Sequence, residues 1–128
     1  MKVEVSNGEL VDKVTILELK LSNITDTEKL INIKKEFDEL NPLLEELFNK
    51  FPPLIQHHYL ELTNVNSQLW EIEDDIRECE LKSQFDDIFI ELARSVYITN
   101  DRRCEIKKKI NILTNSGFIE EKSYQDYQ

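Results

Sequence analysis

From Leu54 to Leu113 the apolar residues return every three or four positions, with one turn near Ser83. One stripe reads Leu62, Val65, Leu69, Ile72, Ile76, Cys79. The next reads Phe85, Ile88, Leu92, Val96, then Ile106, Ile110, Leu113. That spacing keeps side chains on one face of a helix, whereas a strand needs strict alternation. Two helices of ~40 Å each, at ~1.5 Å per residue, therefore claim almost half of a 128-residue chain. With two glycines and three prolines, the turns of a β-sandwich are not supplied.

The first half follows the same rule. Ser6 and Glu9 form a capping box, and Leu10, Val14, Leu17, Leu21 and Ile24 follow at helical spacing. Val11, Ile16 and Leu19 fall off that face, so this helix is expected to be covered on more than one side. Thr25 with Glu28 repeats the cap, followed by Leu30, Ile33, Phe37, Leu40, Leu44 and Leu47. Asn41-Pro42 marks a kink or a new start, and Phe51 to Pro53 ends the element. The third helix is predicted over 54–82. The fourth starts near Ser83 or Gln84, with Asp86 and Asp87 in its first turn, and Gly117 closes it as a left-handed cap.

The expected fold is all-α: one helical bundle of two antiparallel hairpins, about 6–50 and about 54–116, with a tail over 117–128. The second hairpin is long and coiled-coil-like. Because its ends overhang the first, a homodimer is expected. The formal charge of −10, shared evenly by the two halves, disfavours nucleic acid and anionic membrane as partners. "MKVEVSNGEL" holds no signal-peptide core and "VTILELKL" is far too short to span a bilayer. Cys79 and Cys104 fall far apart along the hairpin, so reduced thiols and a cytoplasmic location are expected.

Two polar stripes depart from the core pattern. Asn66, Trp70, Glu73 and Arg77 share one face of the third helix, and Arg94, Tyr97, Asn100 and Arg103 lie level with them on the fourth, with Lys107 beyond. An aromatic wall with guanidiniums suits a planar or anionic small ligand or a protein partner. The same residues serve equally as an ionic network that sets helix register. Thr99 and Arg103 interrupt an otherwise apolar stripe. Arg103 is expected to meet Glu73 or a neighbouring acid, and an apolar residue there to be tolerated. The run from Arg102 to Lys109 reads as a solvated basic face.

Catalytic patterns are sparse. Glu36 with Glu39 and Glu71 with Asp74 offer an ExxE…ExxD arrangement, the magnesium-holding set of a nucleotide or phosphate-ester hydrolase. In a chain with 26 acids this is the minor reading. His57 and His58 are adjacent, and no Glu-x-x-His spacing accompanies them, so no metal is expected there. No phosphate loop or nucleophile constellation exists, and no cofactor is expected. The leading reading is a non-enzymatic binding module, and a purely structural dimerisation scaffold is the third. Phe118, Ile119 and Tyr124 need burial, which suggests that the tail folds back over the polar cluster.

The blocks "SNGELVDKVTILELKL", "LWEIEDDIR", "FIELARSVYITNDRR", "IKKKIN" and "EEKSY" resemble an uncharacterised family of small all-helical proteins of bacteria and viruses, catalogued as a domain of unknown function. The resemblance spans nearly the whole chain. It implies a helical domain and brings no activity, substrate or cofactor. Ser6 to Glu9, Trp70, Glu73, Arg77, Arg94, Tyr97, Asn100, Asp101, Arg103 and the Glu120 to Tyr124 tail lie in the matching blocks.

Overall fold

The computed structural model describes residues 1–51 and 53–127. Four helices follow one another: α1 (Asn7–Asn23), α2 (Thr27–Lys50), α3 (Leu54–Leu81) and α4 (Asp87–Leu113). The fold is an all-α helical bundle. Ser6 caps α1 as its pattern predicts, accepting from the Glu9 amide. The cap of α2 is Asp26 rather than Thr25, and it accepts from Lys29 N. Helix α2 runs through Pro42 without a new start. Of the Phe51–Pro53 breaker, Pro52 lies outside the described residues.

Two further boundaries differ from expectation. Helix α4 begins after Asp86, whose carboxylate caps the amides of Ile88 and Phe89. Gly117 is not left-handed. Ser83 (φ 53°) and Asn115 (φ 50°) take that role at the ends of α3 and α4. Each belongs to a Schellman pattern: Gln84 N donates to Cys79 O, and Ser116 N to Asn111 O. Asparagine is the usual substitute for glycine there, and a short serine side chain also fits.

Helix α1 is the hub. It packs on α2, α3 and α4, whereas α2 scarcely meets α3. The core joins Val11 and Val14 of α1, Leu44 of α2, Ile55, Leu62 and Val65 of α3, and Ile106 and Ile110 of α4. Each such side chain contributes ~1.5–3 kcal/mol of transfer free energy when fully buried. Seventeen residues of α1 cover only part of the longer α3–α4 hairpin. Its distal end therefore leaves Leu81, Phe85, Ile88 and Ile90 exposed. Towards that end the stripe that periodicity assigns to the core is half-buried at Ile76 and Leu92, exposed at Phe85 and Ile88, and buried at Cys79.

Cys79 is buried, Cys104 is half-buried, and both are free thiols. No helix among the described residues is long and apolar enough to cross a membrane.

Candidate functional site

Helix α1 runs antiparallel along the C-terminal half of α4, and the contact is polar at its centre. Asp12 is 1% exposed. Arg103 Nε donates to both of its oxygens at 3.0 and 3.1 Å, and Nη2 adds a third bond. From α3, Asn66 Nδ2 donates to Asp12 Oδ1 and to Thr15 Oγ1, each at 2.8 Å. Lys107 Nζ lies 3.9 Å from Asp12 and bonds Glu9 at 2.6 Å. One buried carboxylate thus gathers a guanidinium, an ammonium and a carboxamide from two other helices. A charge without water is tolerable only when paired and hydrogen-bonded.

The electrostatics agree. The Asp12 hydrogen bond holds the Arg103 guanidinium above its ordinary value in spite of burial. Burial pulls Lys107 down, but the Glu9 bond and the charges of Asp12 and Glu9 outweigh it, so its value is raised as well. The acid that meets Arg103 is therefore Asp12 on α1, not Glu73. An apolar residue at 103 would strand a buried carboxylate, which reverses the expected tolerance there. Sequence reasoning missed Asp12 because it was sought on the neighbouring helices. Its signal was the small polar line Gly8, Asp12, Thr15, at helical spacing beside the apolar residues of α1.

Beside this network lies a hollow of about 430 Å³ between α1, α3 and α4. Ile16, Leu19 and Leu69 form its apolar side, and Trp70, Asn66, Asn100 and Arg103 its aromatic and polar side, with Glu73 and Asp74 also lining it. Among the described residues, Arg103 Nη1, Asn66 Oδ1 and the Asn100 carboxamide have no partner. Five of the nine predicted site residues are thus brought together. Arg77 instead leans back to Glu73 at 3.9 Å, and Arg94 to Glu91 at 3.4 Å. Tyr97 stacks edge-on against Tyr127, and Lys107 belongs to the ionic network.

The tail does fold back, though onto α4 rather than over this hollow. Tyr127 OH donates to Asp101 at 2.5 Å, and Lys107 and Lys108 meet Glu120 and Glu121 at 3.5 and 3.4 Å. The basic run is covered in part by the chain's own acids. A second hollow of about 310 Å³, between Tyr97, Asn100 and the tail tyrosines Tyr124 and Tyr127, adjoins the first through Asn100. The Lys122 hydrogen bond, then the Lys107 charge, holds the Glu120 carboxyl below its usual value of 4.5. Such a carboxylate gives stability that is present above its unfolded value and lost as pH falls through the folded one. The tail is thus expected to loosen below pH 4.5. Heteronuclear relaxation of residues 118–127 from pH 7 to 3.5 checks this, with α4 unchanged as the reference.

A model of a family of unknown function, DUF6165, matches residues 1–127. The chain belongs to the DUF6165 family. No curated protein and no solved structure matches it significantly. For this DUF6165 chain the geometry alone must therefore decide between chemistries. The four acids of the hydrolase reading do not share a site: Glu36 is engaged by Lys13 of α1 at 2.8 Å. Glu71 is exposed on α3, and among the described residues no three of the four bring ligand atoms within 4.8 Å of one another. A further hollow, about 520 Å³ between the N-terminal arm, α1 and α2, is lined by Val3, Val5, Leu10 and Leu40, by that Lys13–Glu36 pair, and by Glu9, Lys35 and Glu39.

Proposed function

We propose that the chain is a non-enzymatic binding module whose Trp70 hollow takes the ammonium or guanidinium end of a small organic cation. The observation that carries this is the charge balance. Arg103 is neutralised by Asp12, whereas Glu73 and Asp74 remain, opposed among the described residues by Arg77 at 3.9 Å from Glu73. Trp70 lines the hollow, and a cation over the face of a tryptophan ring gains ~0.5–2 kcal/mol. Ile16, Leu19 and Leu69 suit an alkyl stem. The guanidiniums expected to receive an anion, those of Arg77, Arg94 and Arg103, each face a carboxylate of the chain itself.

Trp70 is the only tryptophan, so its fluorescence reports on this hollow directly. Titrations with agmatine, spermidine and choline are compared with citrate and adenosine monophosphate at ~150 mM salt, where surface charge is largely screened. Saturation by a cation is expected, weakened at least tenfold in the exposed pair Glu73→Gln with Asp74→Asn. Saturation by anions alone, or cation binding indifferent to those two changes, would overturn the reading.

A second reading concerns assembly. The exposed Leu81, Phe85 and Ile88 at the projecting hairpin end support self-association through that end, since apolar groups gain ~25 cal/mol per Å² on burial. Sedimentation of the wild type is expected to show a dimer, and Phe85→Glu with Ile88→Glu a monomer of unchanged helicity.

A further inference from the structure

Both histidines of the chain fall in one place on α3, together with Glu61. We propose that His57, His58 and Glu61 form a binding site for a late first-row divalent cation, zinc above all. One ligand atom from each residue lies within 4.8 Å of the other two. His58 Nδ1 is 2.6 Å from Glu61 Oε1, and His57 Nε2 is 3.6 Å from the same oxygen. Tetrahedral zinc with bonds of ~2.0–2.2 Å places neighbouring ligand atoms ~3.3 Å apart. The observed separations bracket that edge length, so modest side-chain rotations create the site with no movement of the helix.

The spacing explains how adjacent histidines cooperate. Residues i and i+1 diverge by ~100° on a helix, but His57 reaches Glu61 at i+4 and His58 reaches it at i+3. The carboxylate is the meeting point between two rings that cannot share a face by themselves. A search for Glu-x-x-His passes over this pattern because the order here is reversed.

The donor set selects the ion. Two imidazoles and one carboxylate favour zinc, nickel or copper over magnesium or calcium, which require oxygen ligands. His58 and Glu61 are partly sheltered, with side chains 15% and 36% exposed, while His57 at 67% faces solvent. Three protein ligands leave a fourth position open, so the ion is exchangeable. The positive end of the α3 dipole opposes a cation but fades within the first turn, and the overall charge of −10 favours one. The site lies some twelve residues, ~18 Å, along α3 from Trp70, and it stands independently of that hollow.

The test is a calorimetric titration of chelator-stripped full-length protein with zinc ion alone, in a Cys79→Ser, Cys104→Ser background that removes the thiols as competitors. Imidazole resonances are read in parallel, because only two histidines contribute. One equivalent is expected to bind with a micromolar dissociation constant and shift both rings, and His57→Gln and Glu61→Gln each to weaken it at least tenfold. His57→Gln replaces an exposed side chain, so circular dichroism confirms the fold. No binding up to 1 mM zinc, or binding unchanged by either variant, overturns the proposal. So does a wild-type zinc site that is lost with the thiols.

Discussion

Asp12→Ala is expected to destabilise the chain by about 3 kcal/mol, the lower end of the cost of breaking a buried pair. The change leaves Arg103 without its partner and removes one of the two acceptors of Asn66 Nδ2. Arg103 keeps some relief because its side chain is 28% exposed, which is why the larger values of that range are not expected. Arg103→Met should cost less, about 2 kcal/mol. Asp12, only 1% exposed, then still holds Asn66 and keeps Lys107 at 3.9 Å. Asp12→Leu combined with Arg103→Met should recover most of the loss, since replacing both members of a buried pair by apolar groups is often neutral or better. Urea melts of the wild type, Asp12→Leu, Arg103→Met and their double variant close a double-mutant cycle, with Asp12→Ala measured alongside. A neutral Arg103→Met would remove the network from any account of how α1 docks.

Gly8→Ala should lower stability by about 2 kcal/mol, against the ~1 kcal/mol gain that the same change brings in an exposed helix. A β-carbon at position 8 would sit 2.5 Å from the Lys107 carbonyl oxygen and 2.9 Å from Asn111 Oδ1. Backbone must give way, and with it the bond of 2.6 Å from the Gly8 amide to Asn111 Oδ1. That amide is one of the orphan donors of the first turn of α1, and a side chain from α4 supplies its acceptor. Thermal denaturation measures the sign: a Gly8→Ala protein that melts higher than wild type would mean that α1 can retreat from α4 without loss. Ala at 8 thus tests how closely the helices approach, and Asp12→Ala tests what they exchange once there.

These two positions mark the limit of what was legible beforehand. The Ser6–Glu9 cap, the periodic stripes and Pro53 are local signals, and they placed the helices to within a few residues. The cap of α2 slipped from Thr25 to Asp26 because both residues can accept from a first-turn amide. The left-handed closure went to Asn115 rather than Gly117 because the helix ends earlier than the glycine. The grouping of Asn66, Trp70, Glu73, Asn100 and Arg103 was also foreseeable, since all five lie on α3 and α4, whose register one turn fixes. Arg77 and Arg94 fell outside it because each leans to an acid of its own helix, Glu73 and Glu91, and Tyr97 because it stacks on Tyr127 of the tail.

By itself, then, the sequence determined the helical class, the hairpin of α3 and α4, and the polar character of their middle section. Helix formation and hairpin register depend on residues three to about forty positions apart, within reach of periodicity. Only the tertiary structure decided that Asp12 answers Arg103, and that Gly8 admits the backbone of α4. It alone showed that the hollow beside Trp70 keeps more negative charge than positive. Those facts join residues some fifty to a hundred positions apart. They depend on which face of α1 meets which helix, and an α1 that is apolar on nearly every side does not declare that face in advance.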